Sequence, residues 1–219
     1  MPRILGSEDL MRQRYQTTMF TPAVQAVQSR YGSRDTYARA AAAPEDAAAS
    51  GVEAGLGPQE AAFLAEQDGF FLASVSQSGW PYVQFRGGPK GFLRVLDPLT
   101  IGWADFRGNR QYISVGNVAA DPRVSLIVLD HARQARIKLI GRMSVAEAAD
   151  APELAARLAV PGYRARVERA VTVKVEAFDW NCPQHITPRF TREEIAAAAA
   201  PLHQRIAELE AELAALKAA

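Results

Sequence analysis

A succession of short β-prone runs, each cut off by a turn signal, fills the middle of this sequence and leaves little room there for long helices. Residues 70–76 are apolar, Ser78-Gly79 marks a turn, and residues 82–86 follow, which is a hairpin signal. Residues 92–96 read as a third strand ended by Asp97-Pro98, and 99–103 as a fourth. Residues 124–129 are rich in β-branched side chains, with 135–145 as their hairpin partner. In 170–178, Val171, Val173 and Val175 face one way and Thr172, Lys174 and Glu176 the other, the period of two of a half-buried strand. Many short strands joined by tight turns point to an antiparallel barrel.

The rest of the chain divides around that core. Residues 1–57 form an N-terminal helical extension and linker. Thr21-Pro22 reads as a helix start, because a proline there loses no useful N–H, and residues 39–57 are an Ala-, Gly-, Ser- and acid-rich linker or weak helix. Residues 58–190 carry the barrel. They include a helix from Pro58 through Gln67, a helix within 105–117 starting near Gly108, and helical character over 146–160. Residues 191–219 form a C-terminal helix. Thr191 and Glu194 have capping-box spacing, and Pro201 reads as the start of a second helical segment. Leu202, Ile206, Leu209, Leu213 and Leu216 follow at spacings of 4, 3, 4 and 3, a heptad seam. It either packs on its own subunit or contacts a second one.

Charge and composition exclude several classes. The formal net charge is +1, so no global field draws in nucleic acid or an anionic membrane, and any anion site must be a local cluster. One cysteine, Cys182, cannot close an internal disulfide, and three scattered histidines make no metal-ligand spacing. Residues 1–10 contain Glu8 and Asp9 and no apolar run, and no stretch approaches a membrane span. A cytoplasmic protein is expected.

Three motifs could carry chemistry. In residues 103–111, Arg107 and Arg110 flank Gly108 and Asn109. Glycine permits close backbone approach, a helix start offers free N–H groups, and arginine presents a fork that fits phosphate oxygens. The same string would also suit a solvated basic turn. In residues 80–91, Gln84 and Arg86 share a strand face, and Gly87-Gly88 leaves space for something flat against the backbone. An exposed edge strand fits that string too. In residues 179–190, Trp180 offers an aromatic wall and Arg189 a charge. His185 reads first as a structural hydrogen-bond partner, and Cys182 as an inert small hydrophobe.

Taken together, the strings WPYVQFRGGPKGFLRVLD, ADFRGNRQYISVGN, DPRVSLIV and DWNCPQHITPRF resemble the pyridoxamine 5'-phosphate oxidase-like flavin-binding family, in its branch of uncharacterised bacterial flavin-nucleotide-binding proteins. The likeness covers about residues 15–190. It implies a mainly β, α+β fold: an antiparallel six-stranded split β-barrel with flanking helices, dimerising with one FMN at each end of the subunit interface. Gln84 stands where the family has a flavin-contacting arginine, followed by Phe85 and Arg86. Trp103 and Ala104, with Asp105 beside them, replace a flavin-side Tyr-Thr pair. Gly108-Asn109-Arg110 aligns with the phosphate-gripping Ser-Arg-Lys, which makes Arg110 the phosphate ligand, helped by Asn109 and Gln111. Arg136 takes the place of a glutamine that reaches the flavin from the partner chain, and Trp180 and Arg189 match the closing Trp and Arg. Ile186-Thr187-Pro188 stands where the oxidases hold pyridoxal phosphate with Arg-x-His, so vitamin B6 oxidation does not carry over.

The resemblance therefore implies an FMN-dependent oxidoreductase, a flavoprotein of unassigned substrate and without an assigned catalytic acid or base. Arg86 or Arg136 would place a fixed positive charge at the ring's pyrimidine end. The alternative is a non-enzymatic flavin- or heme-binding module acting as carrier or sensor.

Overall fold

The structure, a computed structural model, describes residues 6–41 and 54–218. The chain forms two compact units, one of residues up to 129 with 136–182, the other of residues 130–135 with 183–219.

The larger unit is built on one seven-stranded sheet. Its strands are β1 (Gly69–Val75), β2 (Pro81–Gly87), β3 (Arg94–Asp97), β4 (Thr100–Phe106), β5 (Arg123–Asp130), β6 (Ala135–Glu147) and β7 (Val167–Trp180). The order across the sheet is β2-β1-β5-β6-β7-β4-β3. The expected mainly β architecture is present, with seven strands in place of six because the four-residue β3 pairs antiparallel with β4. The β1–β2 hairpin turns at Gly79, whose φ of +85° suits glycine.

β2 and β4 lie near opposite ends of that order, yet their side chains meet. Arg86 on β2 donates to Asp105 on β4 at 2.7 Å, and the Phe70 ring of β1 meets Trp103 of β4 edge-on at 5.0 Å. The sheet therefore curls until its two ends face each other and closes through side chains: a split β-barrel. Its interior is fully buried, with Phe70, Leu72, Phe92, Ile101, Trp103, Leu126, Val128, Val173 and Phe178 each at most 1% exposed. On β7 the valines of the alternating run are all buried, while Lys174 and Glu176 are exposed, as the period of two requires. A bulge between Ile140 and Gly141 interrupts the β6–β7 register, and a Cβ on Gly141 would sit 2.3 Å from the Lys174 carbonyl oxygen.

Helices cover the sheet. α1 (Ser7–Met19) packs Tyr15 against Ile140 and Ala177, with the Lys138 ammonium 4.7 Å from the Tyr15 ring centre. α2 (Pro22–Arg30) starts where Thr21-Pro22 predicts, Thr21 Oγ1 accepting from the Val24 N–H. α3 (Arg34–Ala41) follows, and most of the predicted linker, residues 42–53, lies outside the described residues. α4 (Pro58–Ala65) ends two residues before the predicted Gln67.

Two other helix expectations need correction. β4 runs on to Phe106, and the helix expected near Gly108 starts only at Ile113, as α5 (Ile113–Ala120). Asp105 and Phe106 are held in strand by pairing with Arg169 and Val167 of β7, so the chain cannot turn at Asp105. Likewise β6 extends to Glu147, and α6 (Pro152–Leu158) is shorter than the helical stretch expected over 146–160. α6 lays Ala155 and Leu158 on Ala104 and Ala170, the face of β4 opposite Trp103 and Asp105.

The smaller unit contains α7 (Arg192–Ala218), one continuous helix. Its capping box is closed: the Thr191 N–H donates to Glu194 Oε2 at 2.8 Å, and the Glu194 N–H to Thr191 Oγ1 at 3.1 Å. Pro201 lies inside this helix and does not begin a new segment. Losing one backbone hydrogen bond is offset there by the strong helix formers Ala196–Ala200 on one side and the heptad run on the other. Among the described residues no helix is long and apolar enough to cross a membrane.

Candidate functional site

The ends of β2 and β4, the 107–112 loop and the start of β7 enclose a cleft of about 360 Å³, within the range of small-ligand pockets. Its floor is aromatic: Trp103, 1% exposed, and Phe92. Phe106 and Tyr163, in edge-on contact at 4.9 Å, form one wall.

Asp105 organises the polar side. It is 4% exposed, and each carboxylate oxygen accepts from a different arginine. Arg86 Nη1 donates to Oδ1 at 2.7 Å, and Arg169 donates to Oδ2 through Nε at 2.9 Å and Nη2 at 2.8 Å. Burial alone would lower the Arg169 pKa, but its hydrogen bond to Asp105 and the carboxylate charges hold it above the usual arginine value. The Arg169 guanidinium also lies 4.6 Å from the Tyr112 ring centre and donates to Glu168 at 3.0 Å. Tyr112 Oη accepts from Arg110 Nε at 3.1 Å and donates to Glu168 at 3.4 Å. Arg107 stands 3.7 Å from Glu168. Four arginines thus meet two carboxylates, leaving an excess of positive charge in a chain whose formal net charge is only +1.

Two further observations mark the place. Arg110 and Tyr112 both have left-handed backbone, φ 61° and 53°, a conformation that costs non-glycine residues roughly 1–3 kcal/mol each and collects at ligand-binding loops. Arg86 Nε and Trp103 Nε1 are buried donors without a hydrogen-bond partner among the described residues, which a ligand's acceptors would satisfy.

The structure brings Gln84, Phe85, Arg86, Trp103, Ala104, Asp105, Asn109 and Arg110 to this cleft, but not all by their side chains. Gln84 and Arg86 share the inner face of β2, and Gln84 Oε1 accepts from the buried Ser114 hydroxyl of α5 at 3.0 Å. Phe85 is on the outer face, 57% exposed, with its ring over Gly69 and Gly87. Ala104 borders the cleft while its methyl packs in the α6 cluster. The flat space expected at Gly87-Gly88 is filled by the protein itself, since a Cβ on either glycine would meet the Phe85 or Phe92 ring below 3 Å. Gln111 is outside the lining, its N–H donating to Asn109 Oδ1 at 3.2 Å.

Arg136 and Trp180 are at the other end of the barrel. β6 and β7 pair Glu147 with Arg169 but Ile137 with Trp180, and eleven residues along β7 span roughly 36 Å at a strand's rise. There Trp180 Nε1 donates to the buried Glu60 carboxylate at 2.9 Å and its ring meets Phe63 edge-on at 4.7 Å, tying α4 to the barrel. Arg189 is in the smaller unit, exposed, as is His185, whose backbone is left-handed at φ 65°. Sequence reasoning missed Arg169, Tyr112 and Tyr163. The Glu168-Arg169 charge pair leading into the alternating valines was the available signal for the first.

Comparison with known proteins gives a family. A family model described as pyridoxamine 5'-phosphate oxidase matches residues 56–180, more than half the chain and all of the barrel. No curated protein matches. Among solved structures, HupZ of Group A Streptococcus is 20% identical, covering 62% of this chain and 100% of its own, at a TM-score of 0.45. An FMN-binding protein from Syntrophomonas wolfei is 13% identical, covering 55% and 81%, at 0.42. A Clostridium acetobutylicum protein related to general stress protein 26 is 12% identical, covering 63% and 94%, also at 0.42.

Proposed function

The chain belongs to the pyridoxamine 5'-phosphate oxidase family, and from that premise we propose that its cleft binds FMN and that the protein is an FMN-dependent oxidoreductase acting in the cytoplasm. The observation that carries the reading is the convergence of Arg86, Arg107, Arg110 and Arg169 on an aromatic-floored cleft where, among the described residues, Asp105 and Glu168 are the carboxylates that pair with them.

The residues fit the group. Arg110 and Arg107, exposed on the strained loop, would hold the phosphate, with Asn109 beside them. Trp103 and Phe92 would lie under the ring system, and the unpartnered Arg86 Nε and Trp103 Nε1 would donate to its polar edge, together with Gln84. When bound, FMN supplies hydride or electron transfer through its central ring nitrogen. Asp105 fixes Arg86 and Arg169 in place, so their positive charge would be preorganised for a bound flavin ring before any substrate arrives.

Arg136 and Trp180 reach a cleft only if a second subunit brings them, since their own is a barrel length away. In the homodimer proposed here, with FMN at the subunit interface, the second subunit would bring these two residues to the cleft. The outer face of β1 and β2 suits such an interface, with Phe71, Val83 and Phe85 exposed and Phe71 against Phe85 at 5.4 Å.

One observation favours the non-enzymatic flavin-binding alternative. Asp105 is the only carboxylate lining the cleft among the described residues, and both its oxygens are already taken by guanidiniums. Reduction by a nicotinamide cofactor or another donor separates the two readings.

The test is Arg110→Ala, followed by titration with FMN and with riboflavin. Loss of a charge-assisted phosphate contact, about 1.5–3 kcal/mol, weakens FMN roughly 10- to 150-fold and leaves riboflavin unchanged. Equal FMN affinity in the variant would remove Arg110 from the site.

A further inference from the structure

α7 carries an apolar seam whose large side chains are exposed among the described residues. Extending the heptad frame backwards places Ile195 and Ala199 in register with the seam of Leu202, Ile206, Leu209, Leu213 and Leu216. No residue of the helix is buried, and the six large apolar side chains of the seam are 47–76% exposed. A monomeric helix gains nothing by aligning leucines at 3.5-residue spacing on an exposed face, whereas a partner helix with the same spacing would bury them all.

We propose that α7 pairs in parallel with α7 of a second copy of this chain, forming a two-stranded coiled coil over about three heptads. Two independent features select that occupant. The first is the choice of core residues. Leucine fills three of the four d positions (Leu202, Leu209 and Leu216, with Ile195 the fourth), and Ile206 holds the central a position between Ala199 and Leu213; a β-branched residue at the central a among leucines at d is the pairing of a two-stranded parallel coil. The second is the flanking charge. Arg205 and Glu212 fall at g, Glu210 and Lys217 at e. In a parallel pair each g residue faces the e residue five positions on in the other helix. Arg205 then meets Glu210 of the second copy, and Glu212 meets Lys217, two attractive contacts that the twofold axis doubles. An antiparallel pair matches only Arg205 with Glu212. Within one helix Arg205 already reaches Glu208 at 3.0 Å and Glu212 at 3.7 Å, so its side chain lies along the flank of the seam. The association needs no cofactor and stands apart from the flavin cleft.

The experiment is disulfide trapping in the full-length protein, with Cys182→Ser removing the native thiol. Leu202→Cys and Leu216→Cys are each equilibrated in a glutathione redox buffer and run on a non-reducing gel, with Ala211→Cys on the opposite face of the helix as the reference. A parallel, in-register pair doubles the apparent mass of both seam variants and leaves the Ala211→Cys variant monomeric. An antiparallel pair sets residue 202 against 213, so neither seam variant links. Absence of linking at either seam position, or linking of Ala211→Cys to the same extent, overturns the proposal. All three positions are solvent-exposed, so the fold does not depend on them.

Discussion

Asp105→Ala removes the carboxylate that two arginines share and leaves both guanidiniums facing each other. Asp105 is 4% exposed and the side chains of Arg169 and Arg86 only 9% and 17%, so water compensates little. Breaking a buried ion pair by deleting one partner costs about 3–5 kcal/mol, against a total stability of roughly 5–15 kcal/mol. For a chain of this length each kcal/mol moves Tm by about 2–4 °C, so the variant should melt roughly 6–20 °C lower. Thermal unfolding followed by circular dichroism reads this directly. A cycle with Arg169→Ala isolates the pair: if Arg169 is held mainly by Asp105, the double variant is less destabilised than the sum of the singles. A Tm drop of less than about 2 °C, or strict additivity in the cycle, would refute the claim that Asp105 anchors the cleft.

Other outcomes follow from the same structure. Trp180→Phe keeps the edge-on contact with Phe63 but leaves the Glu60 carboxylate without its indole donor. It should cost about 1–3 kcal/mol, seen as a lower urea midpoint at unchanged slope. Asp121 should make a small acid-sensitive contribution. Its side-chain hydrogen bond with Arg123 holds its pKa at about 2, below the ordinary 3.8. A depressed carboxylate pKa stabilises the fold above the unfolded value, and the gain is lost as pH falls towards 2. The difference in urea midpoint between wild type and Asp121→Asn should therefore be constant above about pH 4 to 5 and shrink below it; a difference that stays constant down to pH 2 would contradict the pairing.

The strands of this barrel were readable because local chemistry and tertiary role agree. The valines of β7 alternate in sequence and are buried in the fold, and Ser78-Gly79 turns where glycine is needed. Reading failed where distant partners decide. Asp105 looks like a turn residue beside Gly108, and only Arg86, nineteen residues before it, and Arg169, sixty-four after it, make it a buried strand residue. That is why local sequence places the start of α5 too early and does not mark Arg169. Pro201 marks a boundary by its own propensity, which a long run of strong helix formers overrides. For the cleft, the motif around residues 103–110 identified much of the lining, while the glycines at 87 and 88 misled because Phe85 and Phe92 occupy the space they leave. The place of Arg136 and Trp180 beside a flavin is implied by the family resemblance alone. Nothing in their local sequence marks the barrel-length separation from the cleft of their own chain.

The most direct test of FMN binding at this cleft is the absorbance spectrum of the purified protein after incubation with excess FMN and removal of unbound ligand. A cleft that holds FMN gives a yellow protein with flavin bands at one FMN per chain. A colourless protein that retains no FMN would contradict it, and the cleft at Asp105 and Arg110 would need another ligand.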